Sequence, residues 1–238
     1  MATNIIVSYD NTENDRDALA FGRRLRDAGA NVSLAYVRHI QLEAADREAL
    51  EDSEAQRLLS EGAELLGDPS VPRHVVIDAS TGEGLIALAE REGADLVVFG
   101  SDYRTATGSV QPGNSARRLL DGGRTAVAIA PAGFRDSTND LATIGFIPGA
   151  DDSSAEDTAR SLAAQTDAVV IRDDSRAPDL LVVGSRPEAR DGHVLISAAA
   201  EYAIETSGCP VIVVPHGVAL RFAATPAPAP APTRAIQQ

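Results

Sequence analysis

The sequence predicts an α/β fold in which a doubly wound, parallel, five-stranded sheet occurs twice, with the second copy shortened. Three observations predict it. Apolar, β-rich runs alternate with helix-spaced segments through the first half, the pattern of a parallel sheet covered on both faces. Aliphatic residues dominate the apolar fraction, Trp is absent and aromatics make up 4% of 238 residues, which suits Val/Ile/Leu strands lying under Ala/Leu helices. The ends of the two halves also read alike: "ADLVVFGS" against "PDLLVVGS", and "GGRTAVAIAPAGF" against "SGCPVIVVPHGVA". Such self-similarity marks an internal repeat.

Asn4–Asp10 reads as the first strand. Asn14–Ala28 reads as a helix, with apolar spacing at Leu19 and Leu25 and a stop near Gly29. Val32–Val37 is the second strand, Leu42–Leu66 a long charged helix, and Arg73–Ile77 the third strand. Helix Gly84–Glu92 leads to strand Asp95–Phe99, a hydroxyl-rich loop, helix Ser115–Leu120 and a fifth strand, Ala126–Ala130. The second half starts over. "LATIGFIPGADDSSAEDTARSLA" resembles the opening strand, loop and helix, and "DAVVIRDDS" the second strand; only Arg176-Ala177 then precede "PDLLVVGS". The middle of the unit is missing. The divisions are 1–136, 137–222 and a Pro/Ala tail, 223–238, expected to be extended and disordered.

Composition excludes several functions. A net charge of −14 without a basic stripe argues against nucleic acid. All 21 basic residues are arginine, so neither a Schiff-base lysine nor a GxxxxGK[ST] phosphate loop is available. Cys209, the one cysteine, precedes Pro210 and the apolar run Val211–Val214, and reads as buried packing. His39, His74, His193 and His216 lack metal-ligand spacing; His39 reads as a solvated loop residue after the second strand. Asp151 and Asp152 read as acidic lead-in to a helix capped by Ser153 or Ser154. No G-x-S-x-G elbow and no SGGxDS loop occur. No residue stands out as a dedicated base, so the chain is not read as an enzyme; a nucleotide hydrolase or transferase, slow ATP hydrolysis included, is the last-placed reading. The chain opens almost directly into a strand, and no apolar run approaches the ~20 residues of a membrane helix. The expectation is a cytoplasmic protein without a membrane partner.

In a doubly wound sheet, ligands bind beyond the carboxyl ends of the strands, where strand order reverses. The tips Tyr9-Asp10-Asn11-Thr12 and Phe99-Gly100-Ser101 are expected to meet there. Asp10 can accept hydrogen bonds from an amino group or a ribose hydroxyl. Gly100, lacking Cβ, would admit a ligand to the backbone. Gly113-Asn114-Ser115 opens a helix whose free N–H groups favour an anion. Asp15 and Asn114 also read as ordinary N-cap residues.

This layout resembles the universal stress protein family, whose fold is of the adenine nucleotide alpha hydrolase-like kind. Its nucleotide-binding members carry a strand-end aspartate and a G-x2-G-x9-G-[ST] loop. In "VSYDNTENDRDAL", Asp10 matches, Asn11 replaces a glycine, Thr12 stands for serine and Asp15 for a capping serine. In the loop Gly100 and Gly113 match, Tyr103 takes the second glycine's place, and Asn114 precedes Ser115. Tyr103 either closes the pocket or stacks beside the ligand, and Arg104 pairs with phosphate or with a surface carboxylate. The resemblance implies an adenine nucleotide, ATP or cyclic AMP, with Mg2+ only as its companion. The implied contact set is Asp10, Asn11, Thr12, Val37, Gly100, Ser101, Tyr103, Arg104, Gly113, Asn114 and Ser115. The second unit keeps Gly184 but has Pro187 at the second glycine, Ile196-Ser197 at the last pair, and Ile147-Pro148-Gly149-Ala150 without an aspartate in register. It reads as structural. Units of the family pair through their last strands, which would set "TAVAIA" beside "VIVVP" as an internal pseudo-dimer, a homodimer being the other assembly. The competing reading is a ligand-free scaffold for an unidentified protein partner.

Overall fold

The computed structural model describes residues 2–39, 45–138, 140–172 and 177–223, and for 45–51 the backbone alone. The tail from 224 onward and Leu42, the expected start of the long helix, lie outside the described residues. The chain forms β1 (Asn4–Ser8), α1 (Glu13–Asp27), β2 (Asn31–His39), α2 (Ala45–Leu66), β3 (Arg73–Asp78), α3 (Thr81–Glu92), β4 (Leu96–Gly100), α4 (Asn114–Leu120) and β5 (Ala126–Ala130). It continues with β6 (Thr143–Ile147), α5 (Ser154–Thr166), β7 (Val169–Ile171), β8 (Leu180–Gly184), α6 (Ala198–Thr206) and β9 (Val211–Val214).

The strands make one nine-stranded sheet, ordered β3-β2-β1-β4-β5-β9-β8-β6-β7. Its pairs are parallel except β5–β9, which runs antiparallel with Ala128 opposite Ile212. The central strands are apolar throughout because both faces are covered. Val7, Val98 and Ala128 face the cluster beneath α1 and α2, while Ile6, Val97 and Val127 face the one beneath α3 and α4. This is the two-residue alternation of a pleated strand. Residues 45–66 reach the core through Leu59, Ala63 and Leu66.

Beyond the β5–β9 seam the first half's layout recurs without β3, α2 and α3. From β4 through β5 the correspondence is a constant shift of 84 residues, the interval from Ser101 to Ser185. The buried Ser101 hydroxyl donates to Ala130 O, 29 residues ahead, and accepts from the N–H of Gln111, 10 ahead. Ser185 does the same with Val214 and Leu195 at the same two intervals. Gly108 N–H reaches Ala132 O at 2.8 Å, and Gly192 N–H reaches His216 O at 2.8 Å. Both glycines have positive φ, 80° and 73°, a backbone that side chains with a Cβ adopt at a cost.

Two expectations change. β1 ends at Ser8 rather than Asp10, because the N–H of Asp10 is captured by the Asp15 carboxylate at 2.8 Å instead of by a strand. His39 is the last residue of β2, not a free loop residue; its ring nitrogens lie 3.3 Å from Ala79 O and 3.2 Å from Thr81 Oγ1.

Candidate functional site

The strand order reverses at β1, which has β2 on one side and β4 on the other. The tips of β1 and β4 therefore lie side by side, and Asn14 Nδ2 ties them by donating to Ser101 O at 2.7 Å.

The β1 tip is a tight turn. Asn11 has φ 67°, the left-handed region that asparagine tolerates better than most residues. It thus keeps the backbone freedom of the glycine it replaces. Tyr9, buried beneath Gly62 of α2, donates its hydroxyl to Asn11 Oδ1 at 3.0 Å and locks the turn. Thr12 is the N-cap of α1 in a capping box whose other member is Asp15. Asp15 is therefore the third helical residue, not the cap. One carboxylate oxygen of Asp15 accepts from the N–H of Asp10 and of Thr12, at 2.8 and 3.1 Å. Burial, with the adjoining Asp10 carboxyl, pushes Asp15 up to about 8. The Asp10 side chain is exposed, with one oxygen 3.3 Å from the N–H of Thr12.

The other residues of the implied contact set differ in what surrounds them. A Cβ on Gly100 would lie 2.0 Å from the carbonyl oxygen of Asn14. The space its missing side chain leaves is filled by the start of α1, not held open for a ligand. The hydroxyl of Ser101 is buried and spent on Ala130 and Gln111, so it cannot turn to a ligand. Val37 sits within β2, two residues short of its end, packed beneath α3 near Gly84. Tyr103 does not close the tips: its residue is 72% exposed, and the Arg104 guanidinium lies 4.8 Å above its ring, a cation–π contact. Gly113, not Asn114, is the N-cap of α4, with no side-chain capping bond, and Asn114 and Ser115 begin the helix. The atom nearest to a Cβ built on Gly113 is Asp102 Oδ2, at 3.9 Å.

Two contributors carry no sequence signal of their own. Asn14 links the tips and occupies the space beside Gly100. Asp102, one residue past the buried serine, aims its carboxylate toward the start of α4. In the second half, Asp151 has φ 58° at the β6 tip. Ser153 is the N-cap of α5 without a side-chain capping bond, its hydroxyl donating instead to Asp157 Oδ2 at 2.8 Å, and Asp152 supplies the capping oxygen by accepting from Ser154 N–H and Oγ–H at 2.9 and 2.5 Å. Burial alone would raise Asp152; hydrogen bonds from Ser154 and Gly217, with the neighbouring His216, outweigh it and hold the carboxyl below its ordinary value. Among the described residues, no group of three or more His, Cys, Asp or Glu is placed to hold a metal ion, and no helix is long and apolar enough to cross a membrane. Clefts of about 220, 250 and 230 Å3 lie at the α4–α6 seam, beside α3 and His193, and at the amino ends of β1 and β2.

The sequence profile of the universal stress protein family matches residues 1–131, ending just past β5. The chain belongs to the universal stress protein family. Among solved structures, a universal stress protein from Archaeoglobus fulgidus is 16% identical, with a TM-score of 0.66 over 89% of this chain and 98% of that one. A functionally unknown protein from Pseudomonas aeruginosa PAO1 is 15% identical, with a TM-score of 0.57 over 91% and 93%. These two share the fold. A universal stress protein in complex with cAMP is 23% identical, with a TM-score of 0.42 over 55% of this chain and 97% of that one. No curated protein matches the chain.

Proposed function

We propose that the chain is a tandem universal stress protein, with units 1–136 and 137–222, and that the first unit binds an adenine nucleotide as a stress-signalling module. The observation that carries this reading is the exposed Asp10 carboxylate on the β1 tip, at the boundary where strand order reverses, beside a turn that Asn11 keeps in the glycine-like conformation. A carboxylate there accepts hydrogen bonds from a ribose or an adenine amino group, the service that strand-tip acids give nucleotides in this fold class. On this reading the chain acts by binding. The test is calorimetry of the purified chain with cAMP and with ATP. Heat of binding that disappears in Asp10→Ala supports the reading, because the backbone bonds of the turn survive that change. Silent titrations with both nucleotides overturn it.

A scaffold is the second reading, favoured by the family-typical Gly100, whose open side faces α1, and by the Ser101 hydroxyl, which is engaged at the β5 end, rather than an open pocket. On that reading the second unit is kept because it covers the β5 edge, and the covalent link makes the pairing local. Silent titrations, together with a folded chain that loses a protein partner when β9 is altered, support it.

A further inference from the structure

We infer that residues 218–223 form a strap that opens on its own, hinged at Gly217 and held shut by Asp152. The segment follows β9 but joins no strand. It runs from the second unit across α5 to the amino end of β1. Leu220 N–H donates to the buried Thr158 hydroxyl at 2.9 Å and Phe222 N–H to Ser161 Oγ at 2.8 Å, both on α5. Between them Arg221 N–H donates to Thr3 Oγ1 at 3.0 Å, and Arg221 O accepts from Thr3 N–H at 2.9 Å. Leu220 and Phe222 are buried in the cluster that α1 and α5 cover. The carbonyl of Ala223 lies against Gly29, where a Cβ would come within 1.8 Å of its oxygen.

The hinge has its own catch. Gly217 has φ 71° and follows His216, whose N–H and carbonyl are pinned by His193 O and Gly192 N–H at 2.9 and 2.8 Å. Asp152 Oδ2 accepts the N–H of Gly217 at 3.2 Å and lies 3.4 Å from His216 Nδ1, its side chain 6% exposed. Its other oxygen stays on Ser154. Past that point the amides of Leu220, Arg221 and Phe222 rest on single side-chain hydroxyls rather than a sheet ladder, and Val218 and Arg221 are exposed. The first unit's counterpart is fastened harder. After β5, the N–H groups of Gly133 and Arg135 both reach the Asp17 carboxylate at 2.9 Å, the Arg135 guanidinium joins them, and β6 holds the chain beyond. No element follows the strap among the described residues. A segment with few ladder bonds and one fixed end opens at lower free energy than the sheet it lies on. Opening withdraws Leu220 and Phe222 and bares their apolar seat.

The experiment is residue-by-residue amide hydrogen exchange on the full chain at neutral pH, with trypsin cleavage after Arg221 as a second reading. The amides of Leu220, Arg221 and Phe222 should exchange together, with protection at least about tenfold below that of Ile212 and Val213 in β9. Asp152→Asn keeps an oxygen for Ser154 but turns an amide NH2 toward Gly217 N–H. It should lower strap protection by about a further tenfold and speed the Arg221 cut to match, leaving β9 unchanged. Thr158→Val, which removes the acceptor for Leu220 N–H, should show the same selective loss. Strap and β9 amides that exchange at one rate overturn the inference, as does a loss in Asp152→Asn that is equal in both. A strap as well protected in Asp152→Asn as in the wild type overturns the catch. If Asp152→Asn does not fold, the wild type and Thr158→Val decide.

Discussion

The two halves share a frame and differ at its tips. Ser101 and Ser185 make the same pair of bonds, Gly108 and Gly192 the same turn, and Gly133 and Gly217 the same left-handed step after β5 and β9, with φ of 82° and 71°. Yet α4 starts at Gly113 without a side-chain cap, whereas α6 starts at Ser197, whose hydroxyl accepts from Ala200 N–H at 3.1 Å. Asp10 stands exposed at the β1 tip, where the β6 tip carries Gly149 and Ala150. What the halves hold in common must serve the fold, because it persists where the exposed tip aspartate and the uncapped helix start do not. What differs between them is where function can reside.

The largest test of that division is at the strand-end glycines. Gly100→Ala and Gly184→Ala would press a Cβ to 2.0 Å from Asn14 O and 2.5 Å from Gly149 N. Each should cost about 3 kcal/mol or more in thermal or urea unfolding, since backbone on backbone cannot yield as a flexible side chain can. A small loss at Gly100 with a large loss at Gly184 would return Gly100 to the ligand.

The tip acids should give opposite pH responses. Asp15 sits at about 8, above the ordinary carboxylate range. The folded chain therefore holds its proton more tightly than the unfolded chain, and stability falls as pH rises from about 4 to about 8. Asp15→Asn should flatten that slope in melting curves. Asp152 is held low, so the stability it lends is present above the ordinary range and is lost as the solution is acidified below it. Asp152→Asn should be less stable than wild type at neutral pH and converge with it in acid.

A smaller effect is expected at the seam. Arg117 pairs with Glu201 and Glu205 at 3.1 and 3.2 Å, and Glu201 is its own counterpart under the 84-residue shift from Ser101 to Ser185. In a homodimer each residue on the axis would meet its like; in one chain the two positions can differ and attract. Glu201→Arg should cost about 1 kcal/mol, and adding Arg117→Glu should restore it in a double-mutant cycle. Smallest is Gly113→Ser, which copies Ser197 into an open position and should gain roughly 0.3 kcal/mol of stability. If it also weakens cAMP, the start of α4 contributes to the site.

Much of the fold was legible because it rests on local pattern. The fourth and fifth strands, the helix near 115–120 and the likeness of "ADLVVFGS" to "PDLLVVGS" are all periodicity and apolar runs, and β5 does lie beside β9. The site was legible only as an address. The motif named Asp10, Asn11 and Gly113, but it could not show that Asn14 takes the space beside Gly100 or that the Ser101 hydroxyl is engaged by Ala130 and Gln111. A missing Cβ or a hydroxyl shows that something comes close, not what comes.

The sequence by itself determined the order of strands and helices, the aliphatic two-sided sheet, the recurrence of its closing segments and the candidate tips, since each follows from spacing along the chain. Only the tertiary structure decided that Asn14 fills the space beside Gly100, that Tyr103 turns outward, and that Asp102 faces the start of α4. Those facts depend on which atoms meet across a fold whose contacts join residues far apart in sequence, and no local spacing encodes them.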